Sequence, residues 1–219
     1  MESFDNKAGS LVLDRLIRAV QENKQYLSDI DGMIGDGDHG INMNKGFSLC
    51  REELDRDPGD LSQGLNLLSR ILMMKIGGAM GPLYGRFFKG FATVLGERDE
   101  TDAETWGKAL SAAMDGVTGI SQAKTGDKTL LDALVPAVEA YREALDEGKD
   151  FSNALESMKH AAEEGRDSTR DMIARIGRSS RLGERSRGVI DAGAASCALI
   201  LGTMADSIRE LIRDQGPGS

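Results

Sequence analysis

The segment Asp31-Gly-Met-Ile-Gly-Asp36-Gly-Asp38-His39-Gly40-Ile41-Asn42 sets three carboxylates within eight residues, separated by glycines. Carboxylates crowded in this way repel one another unless they are protonated or share a cation, and hard oxygen ligands favour Mg²⁺ or Ca²⁺. No register of the segment supplies the spaced oxygens, central glycine and closing glutamate of a calcium-binding EF-hand, so Mg²⁺ is the expected ion. Because Mg²⁺ commonly combines one or two carboxylates with substrate phosphates, Asp31, Asp36 and Asp38 suit one or two ions that clamp a polyphosphate. A competing reading makes Asp36 and Asp38 caps of the following helix and leaves Asp31 solvated in a turn. His39 fits a contact to phosphate or base as well as it fits a structural hydrogen bond. His160, the other histidine, falls inside a predicted helix with no visible partner.

Helices must position this loop. Leu11, Leu13, Leu16, Ile17, Val20 and Tyr26 recur mostly at three- and four-residue steps after a cap candidate at Ser10, which predicts an amphipathic helix over 10–28. Similar patterns predict helices at 41–56, 61–77, 81–96, 102–121, 128–146, 150–175 and 188–212, about eight in all. Strand-like alternation is absent. The breaks at 56–60, 96–102 and 146–150 are short and polar, as expected between antiparallel neighbours. The 27 glycines cluster at 32–40, 77–85, 116–126, 177–188 and 193, at the predicted junctions. There they serve either a close approach of backbone to a phosphate or ordinary helix capping and tight helix contacts.

Composition narrows the partners. The 219 residues, 40% of them hydrophobic, are enough for one domain over 1–212, followed by a disordered tail over 213–219. A formal net charge of −9 argues against a nucleic-acid backbone as ligand. It leaves room for a nucleotide whose phosphates arrive with metal ions. The first residues lack the pattern of a signal peptide, and no apolar run approaches the ~20 residues of a membrane span. A soluble cytoplasmic protein is expected. Cys50 and Cys197 have no metal-type spacing and read as reduced core thiols.

The run IGDGDHGINMNKGF (34–47), with GGAMGPLYG (77–85), GDKTLLDAL (126–134) and LGERSRGVIDAGAAS (182–196), resembles the nucleotide-binding L subunit of dihydroxyacetone kinases, the DhaL family. The four blocks stand in the family's order and spacing and cover nearly the whole chain. The resemblance implies an all-α barrel or bundle of about eight antiparallel helices, with a nucleotide, ADP or ATP, and two Mg²⁺ ions at one end. Asp31, Asp36 and Asp38 then match metal ligands. His39, Gly40, Ile41 and Asn42 fall in the first phosphate-contacting run, and Gly78, Ala79 and Met80 in the second. Thr129 and Leu130 lie beside the nucleotide, Arg178 matches a nucleotide-contacting arginine, and Asp191, Ala192 and Gly193 match the segment next to it. Met80 departs from the pattern, because the family usually has serine there.

On the same resemblance the chain is half of an active site. A partner K subunit holds a small ketose covalently, and this chain supplies the phosphoryl group, so no nucleophile is needed here. A free-standing L subunit implies a captive ADP recharged by a phosphohistidine protein of the phosphotransferase system. The alternatives are an ATP-exchanging kinase subunit for another short sugar and a nucleotide-dependent regulatory module without catalysis.

Overall fold

The computed structural model describes residues 2–96 and 98–214. Among them are nine α-helices: α1 (Ser10–Glu22), α2 (Lys24–Ile34), α3 (His39–Leu54), α4 (Leu61–Lys75), α5 (Met80–Leu95), α6 (Ala103–Thr118), α7 (Leu131–Asp146), α8 (Phe151–Ser168) and α9 (Ala192–Asp214). Two 3₁₀ segments, Thr169–Asp171 and Ser179–Ser186, lie between α8 and α9.

Eight of these helices close a ring, each packing on the next in the order α1, α3, α4, α5, α6, α7, α8, α9 and back to α1. Neighbours run antiparallel. Lys159 of α8 meets Asp206 of α9 while the earlier Glu156 meets the later Arg209; Asn66 of α4 meets Lys89 of α5 while the later Ser69 meets the earlier Gly85. Leucines and aromatics on the inward stripes fill the ring, with Phe47, Tyr84, Phe87, Phe88, Phe91 and Trp106 touching in series. Cys50 and Cys197 are free thiols in this core, and burial pushes the Cys50 thiol up to about 12.

Helix α2 stands outside the ring, against α3 and α9. The helix expected over 10–28 breaks at Asn23, whose side chain turns back to the Ala19 carbonyl, and the chain resumes as α2, which leads down to the aspartates. A single periodic pattern hid this break because Tyr26 and Leu27 continue the apolar spacing.

Strand alternation was not expected, yet β1 (Ser3–Asp5) and β2 (Glu100–Asp102) pair antiparallel, Phe4 opposite Thr101. Three residues are too few for a period to register. The pair seats Phe4 against Trp106 and Phe151, closing the end of the barrel away from the aspartates. At that end α4, α6 and α8 begin on aspartate caps, Asp60, Asp102 and Asp150, each accepting a backbone N–H. Helix α8 ends at Ser168, short of 175, and α9 continues through Arg213 and Asp214. Arg213 and Asp214, expected in a disordered tail, are helical, and residues 215–219 lie outside the described ones. Among the described residues no helix is long and apolar enough to cross a membrane.

Candidate metal and phosphate site

The opposite end of the barrel collects the starts of α3, α5, α7 and α9. Unlike the capped helices of the far end, α3 and α5 begin without a side-chain cap and leave N–H groups of their first turns for another acceptor, whereas the first N–H groups of α7 are taken up locally, Leu131 by the Thr129 hydroxyl and Asp132 by the Thr129 carbonyl. Only α9 is capped, by Asp191, whose carboxylate accepts the Ala194 N–H at 2.8 Å.

Asp31, Asp36 and Asp38 converge beside the start of α3, with one carboxylate oxygen from each within 4.8 Å of the others. Asp31 comes from the last turn of α2, the other two from the turn that follows. Gly35 sits so near the Asp31 carboxylate that a Cβ there would lie 2.5 Å from its oxygen, and Gly37 holds φ +76, so the two glycines fold the turn tightly enough to bring the carboxylates together. The His39 N–H also leans on the Asp31 carboxylate, at 3.3 Å. Oxygens on one octahedral Mg²⁺ stand about 3.0 Å apart when adjacent and about 4.2 Å apart when opposite, so this donor set fits a bound Mg²⁺ once the carboxylates draw inward onto it.

From the loop a chain of polar contacts crosses to α9 and α5. His39 Nε2 lies 2.8 Å from the Ser196 hydroxyl, Ser196 lies 2.6 Å from the Tyr84 hydroxyl, and Tyr84 donates to the Gly193 carbonyl at 3.2 Å. Burial lowers the His39 pKa to about 4, so the ring is neutral at physiological pH. Gly40 packs on the start of α2, where any Cβ would overlap the Lys24 carbonyl oxygen.

On the other flank, Asp132 in the first turn of α7 accepts the Gly126 N–H at 2.5 Å and the Thr129 N–H at 2.7 Å, which shapes the 126–130 turn. Leu130 borders Gly193. Burial, with Asp132 nearby, pushes the Asp191 carboxyl up to about 7. Arg178, from the 3₁₀-rich segment after α8, forms an ion pair with Asp36. A guanidinium beside the aspartates is placed to neutralise anionic oxygen.

The expected site residues therefore divide. Asp31, Asp36, Asp38, His39 and Arg178 form one contact network, and Leu130, Asp191 and Gly193 a second, joined to the first through Tyr84 and Ser196. Gly78, with φ +71, looks onto open space, and Ala79 and Ile41 are exposed, while Asn42 sits in the first turn of α3 with its N–H on the Asp38 carbonyl. Thr129 is engaged locally, its hydroxyl accepting the Leu131 N–H. Ala192 is packed with Leu27, Ile30 and Ala195. Met80 lays its side chain against the core, so the thioether takes no place among the polar groups.

A family model described as the DAK2 domain matches residues 33–206, which include every one of these groups except Asp31. The chain belongs to the DAK2 domain family. Among its relatives, the PEP-dependent dihydroxyacetone kinase, ADP-binding subunit DhaL, of Escherichia coli (strain K12) is 39% identical over 192 residues, covering 85% of this chain and 89% of that subunit. The corresponding subunit of kinase 1 from Listeria innocua is 37% identical over 186 residues, covering 84% and 88%. A D-erythrulose kinase of Mycolicibacterium smegmatis is 32% identical over 214 residues, and there this chain matches 36% of the longer protein. The crystal structure of the dihydroxyacetone kinase of C. freundii superposes with a TM-score of 0.65 at 24% identity, over 93% of this chain and 35% of that one, a likeness of fold.

Four side chains that organise this DAK2 domain were not singled out from sequence: Tyr84, Lys128, Asp132 and Ser196. All lie inside the four recognisable blocks, so the signal was present as position but not as role. A tyrosine or serine in an apolar helical stripe reads as core until its hydroxyl is seen to face another helix.

Proposed function

We propose that this chain is the ADP/ATP-binding subunit of a dihydroxyacetone-type kinase, using two Mg²⁺ ions and passing a phosphoryl group to a small ketose held on a partner K subunit. The observation that carries the reading is the three-aspartate cluster set at the end of the barrel where α3 and α5 start without a side-chain cap. Anionic phosphates meet free N–H groups and the Arg178 guanidinium there, and an acidic protein requires cations to accept them. Asp31, Asp36 and Asp38 would hold the magnesium, which neutralises phosphate charge and orients the transferring group when bound.

The protein's own residues supply positioning. His39, neutral and fixed by Ser196, offers a hydrogen bond without adding charge. The 126–130 turn and Gly193 shape the flank, and Gly78 leaves room for the closest approach of a ligand to the start of α5. In the reaction a P–O bond to the nucleotide breaks, one to the ketose hydroxyl forms, and that hydroxyl's proton leaves. Two relatives named as ADP-binding subunits of PEP-dependent kinases, at 37% and 39% identity, support ADP as a captive cofactor recharged by a phosphohistidine protein of the phosphotransferase system. The free, buried cysteines suit the cytoplasm, where that system works.

The test is to purify the chain without added nucleotide, denature it in chelator, and identify what is released. ADP near one mole per mole supports the captive cofactor. An empty protein that binds added Mg-ATP points to an exchanging kinase, and failure to bind either nucleotide overturns the reading.

A further inference from the structure

Lys128 is 1% exposed and is the one non-glycine residue among those described with positive φ, at 65°. A left-handed lysine is strained and persists where its surroundings demand it. Its ammonium has three N–H donors, and all three are engaged: the Val189 carbonyl at 2.6 Å, the Ser186 carbonyl at 2.7 Å and the Met172 carbonyl at 3.3 Å. Among the described residues it pairs with no carboxylate. A buried ammonium satisfied by backbone alone serves the backbone that surrounds it, since an apolar side chain would fill the same volume without the cost of desolvation.

The three acceptors belong to one stretch, 172–189, and two of them, Met172 and Ser186, bracket Arg178. This stretch contains five arginines, Arg175, Arg178, Arg181, Arg185 and Arg187, and its one buried apolar side chain is Ala174. Mutual repulsion and a thin apolar content leave its shape to polar ties. Besides short-range bonds within the stretch and the bond from Ala174 N–H to the Ser186 hydroxyl, its ties to the rest of the protein are few: Met172 N–H to the Thr169 carbonyl, Arg175 N–H to the Asp127 carbonyl, Gly188 N–H to the Arg170 carbonyl and the Arg178–Asp36 ion pair.

We propose that Lys128 is a positioning residue: its ammonium staples the 172–189 stretch to the start of α7 in the shape that presents Arg178 to the aspartate loop. The consequence for nucleotide rests on the function proposed above; the staple itself does not. Lys128→Met removes the donors and keeps most of the volume. The expected results are trypsin cleavage within 172–189 at least about tenfold faster and MgADP affinity at least about tenfold weaker, as befits loss of charged hydrogen bonds. Because Lys128 acts through Arg178, adding Arg178→Ala to Lys128→Met costs little further affinity, whereas residues that act separately give additive losses. Unchanged cleavage, or fully additive affinities, overturns the proposal.

Lys128→Gly keeps the left-handed backbone without strain and repeats both measurements if the methionine variant fails to fold. If neither variant folds, hydrogen exchange on the unsubstituted protein decides. Protected Ala174, Arg175 and Gly188 amides support the staple, and exchange at unstructured-peptide rates overturns it. Absence of MgADP binding by the unsubstituted protein would remove the nucleotide reading while the cleavage result still judges the staple.

Discussion

His39 on α3 and Ser196 on α9 meet at 2.8 Å, although 157 residues separate them along the chain. Ser196 also holds Tyr84 of α5 at 2.6 Å, so one hydroxyl ties together the starts of three helices around the aspartate loop. The Ser196 oxygen also lies 3.0 Å from the Ala192 carbonyl in its own helix.

Ser196→Ala should therefore act at two levels. Loss of the hydroxyl leaves the Tyr84 hydroxyl with the longer contact to Gly193 alone, which predicts a stability loss of about 1–2 kcal/mol in chemical denaturation. His39 loses its anchor, and MgADP affinity falls with it. A variant with parental stability and parental affinity would mean that this hydroxyl is incidental.

Asp36→Asn removes one carboxylate from the cluster and the partner of Arg178. Because three crowded carboxylates repel in the absence of metal, the metal-free variant should melt no lower than the parent. Its MgADP affinity should fall by at least about a hundredfold, since a ligand counts for more than the outer-shell groups that orient it. Calorimetric titration measures the affinity, and parental binding would argue that the aspartates are caps and turn residues.

The ring of eight helices was legible because its helices are long and their apolar faces repeat at helical spacing. The break at Asn23 was not, since Leu27 extends the pattern of α1 while belonging to a separate apolar cluster with Ile30, Ala192 and Ala195. The convergence of the three aspartates was legible from their residue type and spacing alone. Arg178 was legible only by resemblance, because an arginine in a Gly- and Ser-rich stretch carries no sign of the carboxylate it will meet. Lys128 and Ser196 were invisible for a plainer reason: their partners are backbone carbonyls and a histidine brought from other elements, and such pairings exist only once the barrel closes.

Helices α7 and α8 touch at Gly165, where a Cβ would overlap the Asp132 carbonyl oxygen. Gly165→Ala must push the two helices apart, at a cost of about 3 kcal/mol by analogy with other overpacked contacts. The displacement falls on the residue whose carboxylate shapes the 126–130 turn, so MgADP affinity should drop together with the denaturation midpoint. Ala162 lies on the same face one turn away and is buried, and Ala162→Gly, which only removes a methyl, should lower stability without a matching loss of affinity.

Asp191 sets a pH dependence whose sign follows from its environment. Burial raises its carboxyl from 3.8 to about 7, so between those values the folded protein keeps a proton that the unfolded chain has released. Its contribution to stability is complete below about pH 4 and is lost as pH rises to about 7. Asp191→Asn stays neutral throughout and remains a good helix cap for the Ala194 N–H. The variant should match the parent near pH 4 and exceed it by about 1–2 kcal/mol at pH 7, a figure reduced for the partial solvent access of the residue. Thermal melts of both proteins in metal-free buffer across pH 4–7.5 measure the difference. Parallel profiles would show that Asp191 ionises normally in the folded protein, with Lys128 and the α9 N-terminus outweighing its burial.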